Sequence, residues 1–128
     1  MNYKVLISDN LSKGIVNRFK REDISVVYNP EIGKDNSLLL NEICNYDAIA
    51  IRSDTKLDSI VLNKAIKLKV IGRAGIGVDN IDLDSASSKG IVVMNTPFGN
   101  AITTAEHTVA MIFAAARNIP AANQSTQS

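Results

Sequence analysis

The sequence is poor in the residues that build covalent cross-links and metal centres. It contains no Trp, one Cys (Cys44) and one His (His107) among 128 residues. A single Cys excludes an internal disulfide and a Cys-based metal site. Cys44 follows an apolar helical stretch, where a buried structural thiol is expected. Because the one His lies far from the one Cys in sequence, we predict that the chain holds no metal ion.

Charge of one sign and long apolar runs are also lacking. The formal net charge is +1, and the basic residues are scattered among acidic ones, so no basic stripe indicates a nucleic-acid partner. The longest apolar runs fall far below the roughly 20 residues that a membrane span requires. No signal-peptide pattern follows Met1. We therefore expect a soluble cytoplasmic protein with neither a nucleic-acid nor a membrane partner.

Short apolar strands alternate with helices from residue 4 to residue 94. Strands are predicted at 4–8, 24–28, 48–51, 69–71 and 91–94, and helices at 11–20, 36–44, 58–65 and 82–89. Asp58 is a candidate N-cap and Gly90 a candidate C-terminal stop. This alternation is typical of an α/β fold with a doubly wound, parallel, five-stranded sheet in the flavodoxin-like order 2-1-3-4-5. Strands this rich in Val, Ile and Leu favour a sheet covered on both faces.

A different kind of segment follows residue 99. Thr103 and Glu106 fit a capping box, which predicts a helix from Ala105 to Arg117. The helix is apolar, and a polar tail follows it. The predicted division is therefore residues 1–99 as one domain, and residues 100–128 as a helix that crosses towards a second domain.

A glycine-rich loop follows the fourth strand, at residues 72–80, Gly-Arg-Ala-Gly-Ile-Gly-Val-Asp-Asn. Its backbone N–H groups can hold an anion at the carboxyl end of a strand, where open α/β sheets bind ligands. The spacing is not that of the dinucleotide fingerprint G-x-G-x-x-G. The pattern alone leaves a small-anion site and an ordinary Gly-rich turn equally open.

Basic and hydroxyl residues follow the third strand in Arg52-Ser53-Asp54-Thr55-Lys56. Arg recognises carboxylate or phosphate in a planar, two-point fashion. Taken alone, these charges are more simply solvated loop residues. Because parallel strands end on one side of the sheet, Arg52 and the backbone of Gly75 to Gly77 are expected to converge on one anion, with Arg73 as a second positive group. His107, beside Glu106 on the last helix, is expected to be structural or exposed rather than catalytic.

Three stretches carry a family resemblance. Leu68 to Asp82, Gly90 to Pro97 and Asn100 to Pro120 closely resemble segments of the D-isomer-specific 2-hydroxyacid dehydrogenases, in the same order and spacing. Arg52-Ser53-Asp54-Thr55-Lys56 resembles the Arg-Ser-x-Thr-Lys element of that family. This element and Gly72-Arg73-Ala74-Gly75 point to the branch that oxidises 3-phosphoglycerate in serine biosynthesis.

The resemblance implies an NAD-dependent oxidoreductase acting on a small-molecule 2-hydroxy acid, and a homo-oligomeric parent enzyme. The positions that match its substrate pocket are Arg52, Ser53, Lys56, Arg73, Gly75, Ile76, Gly77 and Asn100; Ile76 and Thr104 match cofactor-side positions. The family's G-x-G-x-x-G loop, its catalytic Arg, Glu and His, and the C-terminal elements that complete its substrate domain have no counterpart in the sequence. We expect a fragment without catalytic residues of its own, inactive alone and with the main NAD site outside it. The alternative is a non-catalytic module that binds small acids or assists assembly.

Overall fold

A computed structural model describes residues 3–22 and 24–127. The chain divides into two compact units, Met1–Pro97 and Phe98–Ser128. The first unit holds five strands, β1 (Lys4–Ile7), β2 (Ser25–Tyr28), β3 (Ala48–Ile51), β4 (Val70–Arg73) and β5 (Val92–Met94). Its helices are α1 (Gly14–Arg21), α2 (Asn36–Glu42), α3 (Ser59–Lys64) and α4 (Leu83–Ser88), and a 3-10 turn, Ile43–Asn45, follows α2.

The five strands form one parallel sheet in the order β2-β1-β3-β4-β5. This confirms the predicted α/β doubly wound class and the flavodoxin-like strand order. The register places Leu6, Ile49 and Ile71 side by side across the middle strands. All three are fully buried and pack in one core with apolar residues of the helices, among them Leu39, Val61, Leu62 and Ala86.

Aspartate side chains cap the N-termini of three of these short helices. Asp35, Asp58 and Asp82 precede α2, α3 and α4, and each accepts a hydrogen bond from a backbone N–H in the first turn. The predicted cap at Asp58 is confirmed by a 3.0 Å bond from Val61 N. Gly90 follows α4 with φ at +69°, a conformation that glycine adopts without a Cβ penalty. The chain can therefore turn there into β5, as the sequence predicts.

The second face of the sheet is only partly covered, in contrast to the prediction. The register on this face runs Ile7, Ala50, Gly72, Met94, and exposure rises from zero at Ile7 to 54% at Met94. A shallow groove of about 270 Å³ lies here, lined by residues of α1 and of the last three strands, Ile15, Phe19, Ala50, Gly72 and Met94 among them. Strand composition alone did not distinguish an edge strand from a central one.

The second unit consists of α5 (Ala101–Ala116) and α6 (Ile119–Gln127). The predicted capping box is wrong: α5 begins at Ala101 with Asn100 as N-cap residue, which places Thr103 inside the first turn. The polar tail is helical, and Asn118 separates the two helices with φ at 52°. Within the described ranges, neither these helices nor the earlier ones are long and apolar enough to cross a bilayer.

Candidate functional site

The candidate site lies at the carboxyl ends of β1, β3 and β4, where three loops of the first unit meet. Asp9 follows β1, residues 52–57 follow β3, and residues 74–81 follow β4. Because parallel strands present their carboxyl ends at one edge of the sheet, loops distant in sequence become neighbours here. Hydrogen bonds between the loops fix that arrangement.

Asp9 is the buried anchor of the loop after β3. Its side chain is 1% exposed, and its carboxylate accepts hydrogen bonds from the backbone N–H groups of Arg52 and Thr55. Thr55 Oγ1 donates to Asp9 Oδ1 at 2.5 Å and lies 2.8 Å from Ser8 Oγ. Thr55 is fully buried and donates its hydroxyl proton to Asp9, so this hydroxyl is not a donor for a ligand.

The Arg52, Ser53 and Lys56 side chains are exposed on that anchored loop. Ser53 Oγ donates to Asp54 Oδ1 at 3.3 Å. A shallow pocket of about 260 Å³ is lined by Asp9, Asn10, Arg52, Ser53 and Asp54. Arg52 thus reaches solvent from a loop whose backbone is held from beneath, which limits the entropy that it would lose on binding an anion.

The glycine-rich loop after β4 curls around the Arg73 side chain. Arg73 Nε donates to Asn80 Oδ1 at 2.9 Å, and Arg73 Nη2 lies 4.0 Å from Asp79 Oδ1. The guanidinium crosses so close to Gly75 that a Cβ at that position would overlap with Arg73 Nη1. A larger residue at position 75 would therefore displace the end of the Arg73 side chain, which extends from the last residue of β4.

Two exposed N–H groups at the tip of this loop are available to a ligand. In the described part of the chain, the backbone N–H groups of Ile76 and Gly77 donate to no protein acceptor. The carbonyl groups beside them are engaged: Gly75 O accepts from Thr96 N at 3.0 Å, and Ile76 O accepts from Asn95 Nδ2 at 2.7 Å. Hydrogen bonds to the carbonyl groups thus hold the loop tip in place, while the N–H groups of Ile76 and Gly77 face solvent, an arrangement that suits anion binding.

Asn80 joins the two loops. Its Nδ2 donates to Arg52 O and to Thr55 O, each at 2.7 Å, while its Oδ1 accepts from Arg73. The backbone continues the connection, since Leu57 N donates to Asn80 O at 2.8 Å. The sequence-level analysis missed both Asn80 and Asp9. The available signal for Asp9 was a carboxylate placed directly after a buried strand.

The structure therefore links the loops that carry most of the predicted site residues. The Arg52 and Arg73 loops are tied through Asn80, with Gly75, Ile76 and Gly77 at the tip of the second loop. Asn100 and Thr104 belong to the second unit, at the N-cap and first turn of α5. His107 lies further along α5. Among the described residues, no group of three or more His, Cys, Asp or Glu side chains is arranged to hold a metal ion.

Comparisons with known proteins agree with this architecture. A family profile described as D-isomer specific 2-hydroxyacid dehydrogenase, catalytic domain, matches residues 5–128. The chain is 44% identical over 124 residues to D-3-phosphoglycerate dehydrogenase of Archaeoglobus fulgidus, covering 97% of this chain and 23% of that protein. It is 45% identical over 122 residues to D-3-phosphoglycerate dehydrogenase of Sus scrofa, covering 95% of this chain and 22% of that protein.

A solved dehydrogenase structure has the same fold as this chain. The chain superimposes on D-lactate dehydrogenase from Aquifex aeolicus, complexed with NAD and lactic acid, with a TM-score of 0.71 and 29% identity, over 87% of this chain and 33% of that one. The chain spans under a quarter of the length of the two curated relatives above. With the catalytic-domain profile matching residues 5–128, the chain belongs to the D-isomer specific 2-hydroxyacid dehydrogenase family.

Proposed function

We propose that this chain is the substrate-binding portion of an NAD-dependent dehydrogenase that oxidises 3-phosphoglycerate. Residues 1–99 would form the amino-terminal part of the substrate domain, and residues 100–128 the crossover helix and the start of the NAD-binding domain. The names of the similar curated proteins support the phosphoglycerate assignment. A homo-oligomeric enzyme in the cytoplasm is part of the same proposal.

The observation that carries the proposal is the pair of linked loops, which presents fixed donors to one small anion. The free N–H groups of Ile76 and Gly77 would receive the substrate carboxylate. Arg52, Ser53 and Lys56 on one loop, with Arg73 beside Gly75 on the other, would bind the remaining negative charge. A substrate with a carboxylate at one end and a phosphate at the other requires two such groups of donors. Asn100, the N-cap residue of α5, matches a substrate-pocket position of the family and stays a proposed substrate-binding residue.

The cofactor would meet this chain at its edge. The Ile76 side chain is 42% exposed at the loop tip, and an exposed apolar group suits contact with an uncharged part of a nicotinamide ring. Thr104, in the first turn of α5, is proposed as a cofactor-binding residue only because it matches such a position in the family. The chemistry that a bound NAD would supply is the acceptance of a hydride from the substrate carbon. The main NAD-binding residues would lie outside this chain.

None of the candidate site residues is placed to act as the general base. The predicted site residues of the linked loops, Arg52, Ser53, Lys56, Arg73, Gly75, Ile76 and Gly77, include neither a carboxylate nor an imidazole. The only imidazole, His107, lies within α5 and matches the crossover helix, so it is not proposed as the base. We therefore propose that the 128-residue chain alone binds substrate without oxidising it.

The test is a dehydrogenase assay on the protein as its native cells make it. A tag at the chromosomal locus permits purification, intact-mass measurement and an assay of NAD reduction with D-3-phosphoglycerate. We expect a mass well above 13.8 kDa and activity that depends on 3-phosphoglycerate. Replacing Arg52 with Gln should raise KM about 10- to 100-fold, since a charge-assisted hydrogen bond contributes about 1.5–3 kcal/mol.

The control substitution is Lys67→Gln, a surface lysine in the turn after α3, which should leave KM unchanged. Activity with D-lactate but none with 3-phosphoglycerate would overturn the substrate assignment. No activity with any 2-hydroxy acid at the natural length would overturn the enzymatic proposal.

One observation favours a second candidate function, a non-catalytic module that binds small acids. Both linked loops belong to the first unit, which has its own buried core, so anion binding there does not require a further domain. A native mass of 13.8 kDa, together with 3-phosphoglycerate binding in the absence of NAD, would favour this module over the enzyme.

A further inference from the structure

The Asn80 side chain occupies a position that only an amide can satisfy. The amide makes three hydrogen bonds: Nδ2 donates to Arg52 O and to Thr55 O, each at 2.7 Å, and Oδ1 accepts from Arg73 Nε at 2.9 Å. A carboxylate has no donors, and a hydroxyl has a single proton. The amide therefore performs two tasks at once, holding a side chain on one loop and the backbone of another.

The first task concerns the orientation of Arg73. Its Nε is engaged by Asn80, and the side chain is only 12% exposed, enclosed by its own loop. The terminal nitrogens are left with one carboxylate, Asp79, at 4.0 Å. A guanidinium held through Nε keeps its planar fork in one orientation, so it loses little entropy when an anion binds its terminal N–H groups.

The second task concerns the loop after β3. Asp9 binds the N–H groups of Arg52 and Thr55 from the core side, and Asn80 binds the carbonyl groups of the same two residues. At both Arg52 and Thr55, the backbone N–H and the backbone C=O are therefore hydrogen-bonded. Asp9 makes no recorded contact with Arg73, whereas Asn80 contacts it directly. Asn80 is thus the residue that couples the two basic loops.

We propose that Asn80 is a positioning residue for anion binding: its amide orients the Arg73 guanidinium and fixes the Arg52 loop against it. This inference rests on the proposed function and deepens it. The hydrogen bonds of the Asn80 side chain all go to protein groups, namely Arg52 O, Thr55 O and Arg73 Nε, so the residue is proposed to act on substrate through these groups. Its loss should therefore weaken uniform binding of substrate and transition state, which raises KM and leaves kcat nearly unchanged.

The test is steady-state kinetics on the protein at its natural length, with D-3-phosphoglycerate varied at saturating NAD. Asn80→Ala should raise KM about tenfold, the scale expected for losing preorganisation and hydrogen bonds around one arginine, with kcat changed by less than about threefold. Asn63→Ala, on the exposed side of α3, is the matched control and should leave both constants unchanged. An unchanged KM in Asn80→Ala would overturn the proposal.

A double-mutant cycle separates positioning from a general loss of stability. If Asn80 acts through Arg73, then Asn80→Ala should raise KM by less than about threefold further in a protein that already carries Arg73→Gln. If the effects of the two substitutions on KM multiply in full, Asn80 does not act through Arg73, and the proposal that it couples the two loops is wrong. Should Asn80→Ala fail to fold, Asn80→Asp replaces it in the cycle. Its carboxylate still accepts from Arg73 Nε but neutralises that charge and repels two carbonyls, so KM should again rise.

Failure of the proposed function is distinguished by a binding measurement on the 128-residue chain. Inorganic phosphate serves as probe, and the amide resonances of Gly75, Ile76 and Gly77 report on binding by nitrogen-15 NMR. If the natural-length protein oxidises no 2-hydroxy acid, only the enzymatic proposal fails. The Asn80 proposal then stands if phosphate shifts these resonances with a Kd about tenfold weaker in Asn80→Ala. It is overturned if the unchanged chain shows no shifts or if the two Kd values are equal.

Discussion

Replacing Thr55 with Val tests the buried relay beneath the site, in which hydrogen bonds run from Ser8 through Thr55 to Asp9. The two side chains have nearly the same shape, and Thr55 is fully buried, so the main change is the loss of one hydroxyl. That hydroxyl donates to Asp9 Oδ1 at 2.5 Å and lies 2.8 Å from Ser8 Oγ. Because a hydroxyl has one proton, Ser8 must be the donor in the second bond. Valine would leave Asp9 and Ser8 each without that partner.

The expected cost is large relative to total stability. A hydrogen bond to a charged group contributes about 1.5–3 kcal/mol, and an unsatisfied buried hydroxyl such as that of Ser8 costs about 1–3 kcal/mol. Partial relaxation around Asp9 reduces the sum, so we expect a loss of about 3–4 kcal/mol for Thr55→Val. A domain of this size has a free energy of unfolding of about 5–15 kcal/mol.

Thr55→Ser is the matched control because it keeps the hydroxyl and removes one methyl group, at about 1 kcal/mol. Urea unfolding of the 128-residue chain, followed by far-ultraviolet circular dichroism, gives both free energies by linear extrapolation. Thr55→Val should unfold at a clearly lower urea concentration than Thr55→Ser. Equal midpoints for the two variants would refute the reasoning, because they would show that the relay contributes no net stability.

Three further predictions concern other parts of the chain. Hydrogen bonds from the Ser85 N–H and hydroxyl lower the pKa of Asp82 from its ordinary 3.8. The ionised Asp82 carboxylate therefore stabilises the fold at pH values above 3.8, and this stabilisation is lost as the pH falls through the lowered pKa. Asp82→Asn should therefore lose less stability than the unchanged chain when urea midpoints are compared between about pH 5 and about pH 2, and equal losses would contradict this. Gly33→Ala should destabilise by about 1–3 kcal/mol in thermal unfolding, since its Cβ would overlap with Thr55 Oγ1 and Ser8 O; Gly14→Ala, whose Cβ has only an ordinary contact, should unfold near the unchanged temperature. The apolar side chains of Val109, Ile112 and Phe113 on α5 are 51–61% exposed, so we expect the chain to self-associate. In sedimentation velocity, Ile112→Glu should reduce this self-association and the control Gln124→Glu should not. A chain that stays monomeric at high concentration would refute the prediction.

Local sequence patterns determined the elements of the first unit. The apolar run Ala48-Ile49-Ala50-Ile51 coincides with β3 residue for residue, and Asp58 caps α3 as predicted, because both features depend on neighbours within a few residues. The start of α5 was misplaced for the same local reason. The Thr103–Glu106 pattern fits a capping box, yet Ala101 and Ile102 are already helical. A pattern that permits a cap does not exclude an earlier start.

The sequence also indicated which residues could bind an anion, through Arg52, Arg73 and three glycines at the carboxyl ends of two neighbouring strands. Only the tertiary structure decided how those loops are held. Asp9 bonds to residues 43 and 46 positions away, and Asn80 to residues 25 and 28 positions away. Such partners have no periodicity or fixed spacing in the sequence, because they become neighbours only when parallel strands align their carboxyl ends at one edge of the sheet.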